Sequence, residues 1–107
     1  MPKFRAFIKG ANLLIHSEDT QQIVPSGFYV NAFIDAHSAD AARDSAIALV
    51  RQSHVYAAAR NTPDDPPRIA VEEMEEISDW PVGTHRPLTG FALYDEESQS
   101  ADERPNI

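Results

Sequence analysis

The sequence predicts an α+β fold in which a three- to four-stranded, mainly antiparallel sheet carries helix on one face, in the order β-β-α-β-β. Three observations lead to this prediction. Residues 27–36 (GFYVNAFIDA) are rich in aromatic and β-branched side chains and alternate with a period of two, which is typical of a strand. Residues 38–51 then change to helical spacing. Strand-like runs precede this pair at 3–8 and follow it at 68–77 and 90–94.

The alternation in residues 27–36 gives the predicted central strand two different faces. One face is apolar: Phe28, Val30, Ala32 and Ile34. The other face combines rings with polar groups: Tyr29, Asn31, Phe33 and Asp35. We expect the apolar face to pack against the helix, because a sheet and a helix bury their apolar sides in a common core.

The predicted helix has a marked beginning. The Ser38 hydroxyl suits an N-cap, and Asp40 lies in the first turn, near the positive end of the helix dipole. The stripe that faces the sheet is mostly alanine: Ala39, Ala42, Ala46, Leu49, Val50 and Ser53. Small side chains allow the helix axis to approach the sheet closely. Residues 55–60 either extend this helix or form a short second one.

Shorter patterns predict the remaining elements. Residues 3–8 form the first strand, Gly10 marks a bend or bulge in it, and residues 17–26 form the hairpin loop to the central strand. Residues 68–77 alternate at first, but Val71, Met74 and Ile77 also recur at helical spacing. We predict a strand there with a kink or bulge near Glu73. Residues 79–87 form a loop from which Trp80 folds back on the core.

Composition suits a single small domain. The chain has 107 residues, of which 42% are hydrophobic, and we predict one domain over residues 1–94 and an acidic, disordered tail over residues 95–107. The sequence contains no cysteine, and its N-terminal residues include no signal-peptide or membrane-spanning run. We therefore expect a cytoplasmic protein with no membrane partner.

The second face of the predicted sheet is the candidate interface. A single layer of helix covers only one side of a sheet, so aromatic side chains on the other side need another partner. The candidate interface residues are Arg5, Phe7, Lys9, Tyr29, Asn31 and Phe33. We expect a homodimer that forms through this face, since two-fold association is the commonest assembly of small domains. A net charge of −8 and the lack of RNA-recognition motifs disfavour nucleic acid as the partner.

No residue pattern predicts catalytic chemistry, a cofactor or a metal, which favours a non-enzymatic protein. The four histidines have none of the spacings of a metal site: His16, His37, His54 and His85. Four glutamates precede Ile77: Glu72, Glu73, Glu75 and Glu76. In a strand, the first and last of these lie on one face and the middle two on the other, so they are expected to form a solvated edge instead of a ligand set.

Two alternatives remain open. The first is a small ligand-binding protein or enzyme with a pocket near Trp80 and Tyr94, in which Asp35, His37 or a glutamate transfers a proton. The second is an antitoxin- or immunity-type protein whose acidic second half binds a basic protein partner.

Several blocks of the sequence resemble those of small uncharacterised bacterial proteins. The blocks are residues 10–14 (GANLL), 27–33 (GFYVNAF), 65–68 (DPPR), 71–73 (VEE) and 90–94 (GFALY). This resemblance implies no activity, ligand or catalytic residue. Residues 27–42 are also similar in topology to the strand-strand-helix modules of antitoxins.

Overall fold

The computed structural model describes residues 1–17, 21–84 and 86–96. It contains four strands and two helices in the order β-β-α-α-β-β. The elements are β1 (Lys3–His16), β2 (Ile23–Asp35), α1 (Ala39–Arg51), α2 (His54–Ala57), β3 (Arg68–Ile77) and β4 (Leu88–Asp95). The strands form one sheet in the order β3-β1-β2-β4, and all three pairings are antiparallel. The α+β prediction is confirmed, with a short second helix added to the predicted order.

The long hairpin of β1 and β2 forms the centre of the sheet. Its register runs from Lys3 opposite Asp35 to Gly10 opposite Phe28, and it resumes beyond a bulge at Ala11 and Asn12. Strand β2 begins at Ile23, so the turn is shorter than the predicted loop over 17–26. Residues 18–20 of that loop lie outside the described residues.

Helix α1 covers one face of the sheet, as its sequence predicted. The Ser38 hydroxyl accepts a hydrogen bond from the Ala41 amide at 3.1 Å, which caps the first turn. The inward positions of α1 are Ala42, Ala46 and Val50, all fully buried. They pack on the apolar face of the central hairpin: Phe4, Ala6, Ile8, Phe28, Val30, Ala32 and Ile34.

Gly10 allows Phe28 to lie in the middle of this core. A Cβ atom built on Gly10 would lie 1.8 Å from Cε2 of the Phe28 ring, so the ring occupies the space of the missing side chain. Phe28 is completely buried and also contacts Phe91 of β4, with ring centroids 5.6 Å apart. The glycine that the sequence marked as a bend therefore also provides room for an aromatic side chain.

The bulge after Gly10 is held by a loop that is distant in sequence. Asn12 adopts a φ of 59°, a left-handed conformation that asparagine tolerates better than most residues. Asn61 lies beside it: its Nδ2 donates to Asn12 O at 2.8 Å, and its Oδ1 accepts from the Leu14 amide at 3.0 Å. The Asn61 amide thus takes the place of a neighbouring strand along this part of β1.

The edge strands differ from the predictions in detail. Strand β3 is continuous to Ile77, and its register shifts between the partners of Phe7 and Ile8, which leaves Glu72 as the extra residue. The predicted strand with a bulge near Glu73 is confirmed. Strand β4 includes Asp95, and Oε1 of Glu96 accepts a hydrogen bond from the Asn12 amide at 2.8 Å. The rest of the predicted tail, residues 97–107, lies outside the described residues.

Candidate functional site

The sheet face opposite α1 brings all six predicted interface residues together, and we call it the open face. Its strand positions are Lys3, Arg5, Phe7, Lys9 and Ala11 in β1; Gly27, Tyr29, Asn31, Phe33 and Asp35 in β2; Arg68, Ala70, Glu73, Glu75 and Ile77 in β3; and Thr89, Ala92 and Tyr94 in β4. The central hairpin sets their order, since Arg5 is opposite Phe33 and Lys9 is opposite Tyr29. Residues that are distant in the sequence therefore become neighbours on the open face.

One aromatic cluster crosses the sheet from β1 to β4. The rings of Phe7 and Tyr29 stack with centroids 5.4 Å apart and an interplanar angle of 5°. Tyr94 continues the row, with its centroid 5.5 Å from that of Tyr29. These contacts hold the rings in fixed orientations, and each of the three side chains keeps partial exposure. The cluster is a pre-ordered, partly apolar surface.

A second aromatic pair lies toward the other end of the open face. Trp80 meets Phe33 edge to face, with ring centroids 6.0 Å apart. Lys3 places its Nζ 5.5 Å from the Trp80 ring centroid, a cation–π contact. The prediction that Trp80 folds back on the core was wrong. Trp80 is neither among the residues of the buried core nor among those packed against it, and its ring lies instead against Phe33 on the open face.

Tyr94 belongs to the open face although the sequence analysis did not place it there. Gly27 is its strand partner, and a Cβ atom on Gly27 would lie 2.3 Å from the Tyr94 ring and its hydroxyl oxygen. The ring therefore covers a position where the sheet has no side chain. The signal available in the sequence was Gly27 itself, since a glycine inside a strand often marks a close approach by another group.

Arg5 is the best-connected polar group on the open face. Its Nε donates to Glu75 at 2.6 Å, one terminal nitrogen donates to Glu73 at 3.1 Å, and the other donates to Asn31 Oδ1 at 2.9 Å. The hydrogen bond to Glu75 raises the pKa of Arg5 most; burial lowers it, and the bond to Glu73 adds a further rise. Arg5 is thus neutralised within the chain, which leaves it a poor contact for an external phosphate.

The charges on the open face nearly balance. Its strand positions hold four cations (Lys3, Arg5, Lys9 and Arg68) and three acids (Asp35, Glu73 and Glu75). The whole chain has nine Lys and Arg against 17 Asp and Glu, so five cations and 14 acids lie elsewhere in the sequence. The open face is therefore close to neutral on a chain that is otherwise strongly acidic.

The structure does not bring the residues of the enzyme alternative together. Trp80 lines a shallow cavity of about 200 Å³ with Phe33 and Arg86, whereas Tyr94 lines a separate one of about 270 Å³ with Ile15. Asp35 and His37 are exposed near the end of β2. A single pocket between Trp80 and Tyr94 is not formed by the described residues.

The described glutamates of β3 and the described histidines do not assemble into a metal site. Glu73 and Glu75 bind Arg5 on the open face, whereas Glu72 and Glu76 are exposed, with Glu76 on the other side of the sheet, opposite Phe4. The residues that the structure describes contain no group of three or more acidic or histidine side chains placed to hold a metal ion. His85, one of the four histidines, lies outside those residues.

Comparisons of the chain with protein-family models, with curated proteins and with solved structures found no match. The resemblance to small bacterial proteins therefore stays a prediction. None of the described helices is long and apolar enough to cross a membrane.

Proposed function

We propose that this protein is a non-enzymatic interaction domain that homodimerises through the open face. The observation that carries the proposal is the row of partly exposed rings on the face that neither described helix covers: Phe7, Tyr29 and Tyr94, with Phe33 and Trp80 beyond. Aromatic side chains are enriched at the centres of interfaces, because they bury a large area at a small cost in conformational entropy.

The size of the open face supports a second protein molecule as its occupant. Four strands about 4.8 Å apart and about nine residues of about 3.3 Å each give a plane of roughly 19 by 30 Å. This is about 600 Å², the same order as the roughly 800 Å² that each partner contributes to a standard interface. The small cavity beside Trp80 is a shallow feature at the margin of this plane, and the one beside Tyr94 is lined mostly by residues of the other side of the sheet, such as Ser26 and Leu93.

Charge supports a second copy of this chain as that occupant. Two copies with a net charge of −8 repel each other over most of their surfaces. The open face is where this repulsion is weakest, because Arg5 offsets part of the charge of Glu73 and Glu75, and the other cations bring the face close to balance. A nucleic acid would instead need free cations, and a basic partner would favour the acidic surfaces elsewhere.

Phe33→Asp tests the proposal. The substitution places a carboxylate among the open-face rings without touching the core that α1 covers, so we expect it to halve the solution mass measured by sedimentation velocity. Ala48→Asp is the matched control, because Ala48 is exposed on α1 and the substitution adds the same charge on the opposite side of the sheet. The control should keep the wild-type mass. An unchanged mass for a folded Phe33→Asp variant would refute dimerisation through this face.

A further inference from the structure

The two outer edges of the sheet differ in a way that the open face does not explain. The edge strand β3 (RIAVEEMEEI) carries four glutamates, which oppose the addition of another strand. The edge strand β4 (LTGFALYD) has no charged residue before Asp95. Leu93 of β4 is a large apolar side chain with 53% exposure. Only one of the two edges therefore carries the charges that natural sheets use against edge-to-edge pairing.

The hydrogen-bonding pattern shows which backbone groups of β4 point outward. The Phe33 amide donates to Pro87 O at 2.8 Å, so odd-numbered residues of β2 exchange hydrogen bonds with β4 and even-numbered residues do not. Leu93 is opposite Phe28, an even-numbered residue. The N–H and C=O groups of Leu93 therefore point away from β2, toward the outer edge.

We propose that β4 pairs in antiparallel fashion with β4 of a second copy, with Ala92 at the two-fold axis. This register places Phe91 opposite Leu93 of the second copy, and the reverse pair follows by symmetry. Both side chains lie on the helix-covered side, where Phe91 already contacts Phe28. The exposed Leu93 would gain an apolar neighbour, and its outward backbone groups would gain hydrogen-bonding partners.

The same register places Gly90 of the second copy opposite Tyr94. Gly90 has a φ of 76°, and a Cβ atom built on it would have no other atom within 4 Å, so no side chain obstructs the approach of the second strand there. The Tyr94 ring itself stays over Gly27 of its own chain and leaves the outer edge of β4 accessible.

The edge pairing is separate from the proposed use of the open face. It joins two sheets side by side into one of eight strands and leaves the open face uncovered. If both interfaces form, the assembly contains four chains: two eight-stranded sheets in contact through their open faces. Each interface can then be removed without the other.

Leu93→Pro tests the edge pairing. Proline removes an N–H group that points outward, so the bonds between β2 and β4 are kept while the edge loses a donor. Leu93→Lys is the second variant, since it keeps the N–H group and adds a charge to the edge. Leu93→Val is the control, because it keeps the N–H group, an apolar side chain and a strong preference for strand, and it should keep the wild-type mass. Circular dichroism establishes which variants are folded, and sedimentation velocity measures their mass.

We expect the wild-type protein to sediment at four times the chain mass of 11.9 kDa. Phe33→Asp and Leu93→Pro should each sediment at twice the chain mass, and the double variant at the chain mass. If the single variant Phe33→Asp sediments at the mass of one chain, the edge pairing is overturned and dimerisation through the open face is supported. An unchanged Phe33→Asp mass together with a single-chain Leu93→Pro would support the edge and refute the open face. Wild-type masses for both folded Leu93→Pro and Leu93→Lys would also overturn the edge pairing.

Discussion

Gly10→Ala should destabilise the fold by crowding Phe28. The new methyl carbon would lie 1.8 Å from the Phe28 ring, whereas carbon atoms in contact stay about 3.5–4.0 Å apart. The ring would have to retreat by about 2 Å inside a core in which Phe28, Ile8 and Val30 have no exposed area. Close-packed interiors do not allow such a movement without strain.

The expected cost follows from two opposing effects. Overpacking a core costs about 1–3 kcal/mol, and this clash lies at the upper end of that range. Replacing glycine by alanine returns about 0.4–1 kcal/mol, because the unfolded chain has fewer conformations to lose. We therefore expect Gly10→Ala to lower the free energy of unfolding by about 2 kcal/mol, measured by urea denaturation with circular dichroism.

A double-mutant cycle separates crowding from other effects. Phe28→Leu alone should cost about 1–3 kcal/mol through lost packing. It also removes part of the ring with which the Gly10→Ala methyl collides, so the double variant should be more stable than the sum of the single effects predicts by at least about 1 kcal/mol. Additive effects, or a Gly10→Ala cost below about 0.5 kcal/mol, would refute the close approach of Gly10 and Phe28.

Substitutions at two further positions test the polar contacts. Arg5→Ala should lower the free energy of unfolding by about 1–2 kcal/mol at low salt. The loss should shrink in 1 M salt, since Glu73 and Glu75 are 65% and 53% exposed and salt screens exposed charges. An equal loss at low salt and in 1 M salt would contradict the ion pairs. Because the pKa of Arg5 is raised in the folded protein, the stability that Arg5 contributes is complete at any pH below the ordinary arginine pKa. It is lost only as the pH rises through the raised pKa of the folded state. Asn61→Ala should cost about 1–3 kcal/mol and speed hydrogen exchange at the Leu14 amide, whereas Asn61→Asp, which keeps only the acceptor, should protect that amide better. Equal exchange in both variants would argue against the Asn61 bridge.

Local patterns in the sequence were sufficient for the central elements. The alternation around Tyr29 and Phe33 assigned side chains to the correct faces of β2, and the Ser38 N-cap marked the start of α1. These features depend on backbone periodicity and on hydrogen bonds within a few residues, so neighbouring positions contain the information. The six candidate interface residues could be assigned to one face for the same reason.

Contacts between distant segments could not be obtained in this way. Trp80 was expected on the core but lies against Phe33, and Asn61 bridges a bulge 49 residues earlier in the chain. Tyr94 joined the open face because its strand pairs with Gly27 in a particular register. A loop side chain has no periodic neighbours that fix its direction, and many registers are compatible with the same alternation.

The sequence by itself determined the types of the main elements, the two faces of the central hairpin and the strongly acidic character of the chain. Only the tertiary structure decided that Arg5 is neutralised by Glu73 and Glu75 and that the rings of the open face form two clusters. It also decided that β4 is the edge strand without glutamates. The physical reason is that face and element type follow from local periodicity. Strand order and register instead depend on which distant segments bury the most apolar surface together.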